Sequence, residues 1–128
     1  MGVSGNRWNF GVLPKGTRNL ITDVPGVRVG QVTLSGEQME TGVTAILPHE
    51  GNLFRSKVPA AVHVINGFGK STGMMQVQEM GNIESPILMT NTFSVSAAID
   101  GALTWLMERN PEIGDTTGTV NPLVMECN

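Results

Sequence analysis

Apolar and polar positions change their spacing several times along the chain, and each change marks an element. Val27-Arg28-Val29-Gly30-Gln31-Val32-Thr33-Leu34 is rich in β-branched residues and predicts a strand. Just before it, Asp23-Val24-Pro25-Gly26 predicts a tight turn, with Pro25 presetting φ at the second position and Gly26 free to take positive φ at the third. Ser35 to Thr41 is polar and turn-like, and Gly42-Val43-Thr44-Ala45-Ile46-Leu47 predicts a second strand, stopped by Pro48 and antiparallel to the first. Pro59 to Ile65 predicts a third, largely apolar strand that breaks at Asn66-Gly67. Ser71 or Thr72 is then expected to cap a short helix running through Met80, with Gly81 as its stop. Ile87-Leu88-Met89-Thr90 predicts a short buried strand entered through Pro86.

The clearest helix follows. Val95, Ile99, Ala102, Leu103 and Leu106 fall on one apolar face, with Thr92 or Ser94 as the expected cap. Asn110-Pro111 closes it, because the residue before proline avoids the α region. Thr119 to Glu126 predicts a final strand. The order β-β-β-α-β-α-β, without an internal repeat or low-complexity linker, argues for an α/β layered domain. The 128 residues are read as a single α/β unit, with an N-terminal arm over 1–18 that carries Trp8 and Phe10, and a packed portion over 19–128. The sequence stops directly after an apolar strand, so we expect a unit incomplete at its C-terminus, with the last strand short of partners and its edge exposed.

Composition narrows the function classes. Hydrophobic residues make up 40% and charged residues 15%, the balance of a globular interior. The net charge of -3, with the basic residues scattered, supplies neither a stripe for nucleic acid nor a patch for a membrane surface. No apolar run approaches the ~20 residues of a membrane helix, and Met1 to Phe10 lacks the pattern of a signal peptide. A lone Cys127 suits a reducing cytoplasm, and a small, semi-buried thiol is expected there.

The local motifs divide into decoys and candidates. Gly67-Phe68-Gly69-Lys70-Ser71-Thr72 ends like a phosphate-binding loop, but the required earlier glycine position holds Val64, so a strand-to-helix turn is the better reading. His49 and His63 have no partner at metal-ligand spacing. Thr90-Asn91-Thr92-Phe93-Ser94 joins a strand to a helix, where it serves as a cap or as a ligand wall at the carboxyl end of a strand. Asn66-Gly67 stands in the same relation to its own strand, a second wall of one pocket. Glu126 puts a carboxylate at the tip of the last strand, as an exposed strand end or as an anion for a substrate ammonium.

Together, five collinear segments resemble the L-aminopeptidase/D-esterase and β-peptidyl aminopeptidase family. They are Asn19 to Gly30 (Asn-Leu-Ile-Thr-Asp-Val-Pro-Gly-Val-Arg-Val-Gly), Gly42 to Pro48, Asn66-Gly67-Phe68-Gly69 with Thr72-Gly73, Pro86 to Val95 around Thr90-Asn91-Thr92, and Pro122 to Asn128. The resemblance implies part of a four-layer αββα sandwich and a precursor that cuts its own backbone into an α-chain and a β-chain. The serine so exposed is the nucleophile, which places it after residue 128; no catalytic residue is expected in this chain. The resemblance further implies a peptide, amide or ester substrate with a free amino end, no metal or organic cofactor, the remaining α-chain and β-chain as partners, and a homo-oligomer. Glu126 is the expected grip on the substrate ammonium, with Asn66 and Asn91 as further substrate-binding candidates. Phe68, Lys70 and Phe93 map to no family role. The rival expectations are an acyltransferase of the ornithine acetyltransferase type and an inactive binding or assembly module of the same fold.

Overall fold

The computed structural model describes residues 11–127. Residues 1–10 of the expected arm, with Trp8 and Phe10, and Asn128 lie outside the described residues; 11–18 run as exposed, irregular chain. Order begins at Asp23, whose carboxylate accepts the backbone N–H groups of Arg18 (3.0 Å) and Leu20 (3.2 Å) and closes a 3-10 turn over Ile21–Asp23. The expected turn follows: Val27 N–H donates to the Val24 carbonyl at 3.2 Å, and Gly26 takes φ 87°.

Strands β1 (Arg28–Gly36) and β2 (Met39–Leu47) form a long antiparallel hairpin whose register pairs Gly36 with Met39. The strict alternation sends Val32, Val43 and Ala45 to one face and Gln31, Thr33 and Thr44 to the other. The third predicted strand fails. Only Val58–Pro59 (β3) pairs, with the unforeseen β4 (Asn82–Ile83), and the rest of the predicted strand, over 61–65, has no ladder partner among the described residues. β-branched composition alone does not make a strand when no neighbouring edge is offered, and Val64 and Ile65 stand exposed.

Helix α1 (Met74–Met80) starts later than expected, and neither Ser71 nor Thr72 caps it. Its N-cap is Gly73, at φ 79°, pressed against the backbone of Pro122 and Leu123. Thr72 instead exchanges backbone hydrogen bonds with Val124, at 2.8 and 3.3 Å. Gly81 ends α1 in the left-handed region, as predicted.

Strand β5 (Ile87–Thr90) pairs antiparallel with β2, and β6 (Leu123–Glu126) pairs parallel with β5, giving the sheet order β1-β2-β5-β6. Helix α2 (Val95–Arg109) is the crossover between the two parallel strands and lies against them. Ser94, one of the two expected residues, stands at its N-cap but makes no side-chain cap bond; the capping hydrogen bonds come from Asn91, ahead of the 3-10 turn over Thr92–Ser94. On the opposite face of the sheet, Leu123, Ile87 and Met125 pack with Val77 of α1 and Ile83 of β4. The last strand is not without partners as expected: β6 pairs with β5 along its length, but it is an edge of the sheet whose outer side meets only Thr72, at Val124. The other edge, β1, is exposed along all 9 of its residues.

The start of β6 is fixed by buried polar groups. Glu84, 3% exposed, pairs with the Lys57 ammonium and accepts the Asn121 N–H at 3.0 Å. Ser85 accepts the Leu123 N–H at 2.9 Å through its hydroxyl oxygen. Buried groups satisfied in this way hold a register, because leaving one unpaired costs roughly 1–3 kcal/mol.

The glycine at position 73 is accordingly the sharper test of the packing. Gly81→Ala meets open space and pays only the left-handed penalty, about 1–2 kcal/mol. Gly73→Ala adds a clash of its Cβ with the Pro122 carbonyl and should destabilise the full-length gene product by clearly more, read as the difference in urea or thermal midpoints.

Candidate functional site

The register of β5 and β6 pairs Thr90 with Glu126, so the carboxyl ends of two parallel strands meet. Ligand sites in α/β sheets gather at such ends. Cys127 N–H donates to the Thr90 carbonyl at 2.7 Å and extends the pairing by one step, leaving the Cys127 side chain exposed rather than semi-buried.

Glu126 is the centre of this region. Its Oε1 accepts the Thr92 hydroxyl at 2.6 Å, and its Oε2 accepts the Lys70 backbone N–H at 2.5 Å. Its own N–H donates to the Ser71 hydroxyl oxygen at 3.3 Å. Three segments distant in sequence therefore converge on one strand tip: 70–71, the turn at 92, and β6 itself. The Thr92 hydroxyl holds the Glu126 carboxyl below its usual value, the Lys70 N–H adds to this, and the Lys70 ammonium contributes a further pull against the opposing effect of burial. The group stays an anion through the neutral range.

Asn91 sits one residue beyond the end of β5, but its amide is already engaged. Its Oδ1 accepts the N–H groups of Phe93 (3.0 Å) and Ser94 (3.1 Å), and its Nδ2 donates to the hydroxyls of Thr41 and Ser94. That is a helix cap tied back to β2. Asn66 lies in the exposed 65–70 loop, where its Oδ1 accepts the Phe68 N–H at 3.3 Å in an Asx turn. Asn66 and Asn91 thus shape the two segments that reach Glu126, and the groups in direct contact with its carboxylate are Thr92 and Lys70.

Sequence reasoning offers Thr92 only as part of the cap or ligand wall over 90–94, not as a partner of Glu126, and does not pick out the Lys70 backbone. A signal for Thr92 existed: a hydroxyl just past one strand end, facing a carboxylate at the end of the parallel neighbour. The Lys70 contact uses a main-chain group and leaves no sequence signal.

The phosphate-loop reading of residues 67–72 is answered by the same contact, since the carboxylate of Glu126 already occupies the Lys70 N–H. The ammonium of Lys70 folds back on its own loop, 3.0 Å from the Phe68 carbonyl oxygen and 3.8 Å from the centre of the Phe68 ring. His49 bridges a turn, with Nε2 2.7 Å from the Ser56 carbonyl and Nδ1 accepting the Gly51 N–H at 3.0 Å. Among the described residues, no group of three or more His, Cys, Asp or Glu side chains is gathered to hold a metal ion, and no helix is long and apolar enough to cross a membrane.

Comparison with known proteins gives a consistent result. The profile of peptidase family S58 matches residues 19–128. The β-peptidyl aminopeptidase BapA of Sphingosinicella microcystinivorans is 40% identical over 102 residues, which cover 73% of this chain and 26% of that protein. The crystal structure of the PH0078 protein from Pyrococcus horikoshii OT3 superposes with a TM-score of 0.89 at 51% identity, over 94% of this chain and 36% of that one. An L-aminopeptidase D-Ala-esterase/amidase from Ochrobactrum anthropi, described as a prototype for the serine aminopeptidases and a variant of the Ntn hydrolase fold, gives 0.77 at 32% identity, over 92% and 35%. The chain thus spans about a quarter of the curated relative and about a third of the solved structures.

The Glu126 cluster makes a pH prediction with a definite sign. A carboxyl whose folded value is depressed contributes stability that is present above its unfolded value, ordinarily near 4.3, and is lost as pH falls through the folded value. Thr92→Val removes the largest cause, so the Glu126 titration should move upward, toward the ordinary value, and the acid-side loss should begin at higher pH. Carboxyl 13C chemical shifts followed through a pH titration would show the change; an unmoved midpoint would mean that the hydroxyl is not what holds the anion.

Proposed function

Because the chain belongs to peptidase family S58, we propose that it is the N-terminal part of a self-processing, serine-type aminopeptidase. Its role in that enzyme is to supply the wall that recognises the free amino end of a short peptide, amide or ester. The observation that carries this reading is Glu126, an anion fixed by Thr92 and the Lys70 N–H at the meeting carboxyl ends of β5 and β6. Each of its oxygens uses one lone pair on these partners and keeps another for an incoming N–H group. An ammonium there makes a charge-assisted hydrogen bond, about twice as strong as a neutral one.

The reaction then follows general N-terminal-nucleophile chemistry. Backbone cleavage after residue 128 frees a serine whose α-amine takes the proton from its own hydroxyl as the oxygen attacks the substrate carbonyl. The leaving amine collects that proton, and water hydrolyses the acyl-enzyme. Glu126 takes no part in proton transfer; it fixes the amino end, so that the carbonyl one residue along meets the nucleophile.

The remaining parts of the reading rest on the same frame. The four-stranded sheet, with α2 on one face, forms one half of an αββα sandwich that the rest of the α-chain and the β-chain complete. Assembly into a homo-oligomer belongs to this proposal. A cytoplasmic location is supported by the one exposed thiol of Cys127, a group suited to a reducing compartment.

Intact mass spectrometry of the full-length gene product should give two chains, the smaller beginning with Ser, and replacing that Ser by Ala should leave one uncut mass. A single uncut mass for the wild-type product would remove the self-processing enzyme. In the processed enzyme, Glu126→Gln should raise KM roughly tenfold or more for substrates with a free amine, the value of one hydrogen bond to a charged group.

A further inference from the structure

The two hydrogen bonds that fix Glu126 are each followed or preceded, within two residues, by an aromatic side chain that the protein leaves in solvent. Phe93 comes directly after Thr92 and is 95% exposed; Phe68 lies two residues before Lys70 and is 83% exposed. The chain carries only four phenylalanines and no tyrosine, so half of its Phe content lies within two residues of a group that hydrogen-bonds this carboxylate. Neither ring belongs to the apolar clusters that hold the fold.

Both turns are fastened through the backbone. The Phe93 backbone is pinned by Asn91 Oδ1 at 3.0 Å, and the Phe68 N–H by Asn66 Oδ1 at 3.3 Å. The Lys70 ammonium sits 3.8 Å from the Phe68 ring centre and donates to the Phe68 carbonyl oxygen, which leaves the ring a free face. Turns that are fastened by side-chain hydrogen bonds, yet present bare aromatic rings, suit recognition of an apolar group rather than packing within this unit.

We propose that Phe68 and Phe93 are specificity-determining residues, forming the apolar contact for the side chain of the substrate's N-terminal residue. This rests on the reading of Glu126 as the ammonium grip. An ammonium bound there brings its own Cα and side chain within reach of residues adjacent to Lys70 and Thr92, and no charged side chain other than Lys70 is supplied by those two turns. The preferred N-terminal residue is therefore apolar and bulky, aromatic or branched aliphatic, and an acidic or unsubstituted one is disfavoured.

The test uses the processed full-length enzyme and p-nitroanilides of phenylalanine, leucine and glycine. Phe68→Ala and Phe93→Ala should each lower kcat/KM for phenylalanine and leucine anilides about tenfold or more, the usual worth of an apolar contact in a pocket, while the glycine anilide stays within about twofold. Loss of the same factor on all three substrates, or on none, overturns the proposal. Should an alanine variant remain uncut or insoluble, Phe68→Gln and Phe93→Gln put a polar chain of similar reach at these exposed positions, and a phenylalanine-to-glycine ratio unchanged by them also overturns it. Glu126→Gln separates the two levels of the argument. If it raises KM for all three anilides while the Phe variants leave the ratio unmoved, only the present proposal fails. If it leaves KM unmoved, the ammonium reading fails and takes this one with it.

Discussion

The parallel pairing of β5 with β6 is the constraint on which the rest of the structure depends. Thr90 and Glu126 are far apart in sequence, and only the α2 crossover and this register make them neighbours. A slip by one residue would turn Glu126 to the opposite face of the sheet, among Leu123 and Met125, and would bury Met125 where the carboxylate belongs. The register is guarded at both ends: by Glu84 and Ser85 where β6 begins, and by the Cys127 N–H where it ends. Polar groups serve here because a misplaced buried hydrogen bond is penalised more steeply than a misplaced methyl contact.

Much of the frame is legible in the sequence, for reasons that can be traced to particular residues. β1, β2, β5 and α2 have strong local patterns, and local patterns suffice where each element has a neighbour to pair with or pack on, as β1 has in β2 although Val32 and Leu34 stay exposed. The stretch from Pro59 to Ile65 shows the limit. Its composition is that of a strand, but pairing is a property of two edges, and Ala60 finds only the Gly81 carbonyl. β4, with two residues, is too short to carry any periodicity. Ser94 is the N-cap of α2 as its sequence suggests, but the side chain that supplies the capping bonds is Asn91, before the 3-10 turn. Asn91, Thr92 and Ser94 are all competent caps, and tertiary partners separate them: Asn91 is tied to Thr41 on a distant strand, and the Thr92 hydroxyl is taken by Glu126.

The candidate site is legible in the same uneven way. Glu126 can be suspected from its place at a strand tip, and the family resemblance points to the same residue. Its partners cannot be derived from sequence. Thr92 needs the parallel register to reach it, and the Lys70 contact is made by a backbone group that every residue but proline possesses. Asn66 and Asn91 draw attention as polar residues after strands, and their hydrogen bonds are those of turn formers.

That backbone contact has an evolutionary side. Because the loop holds Glu126 through the main chain at position 70, a change of side chain at 68 or 70 leaves that hydrogen bond in place, and a change at 70 gives up only the smaller pull of the ammonium. Only proline at 70 would cut the tie. The anchor and the side chains around it thus occupy the same short loop but are separable, because one is main chain and the others are not, so that loop can be re-dressed by substitution without the carboxylate losing its backbone tie.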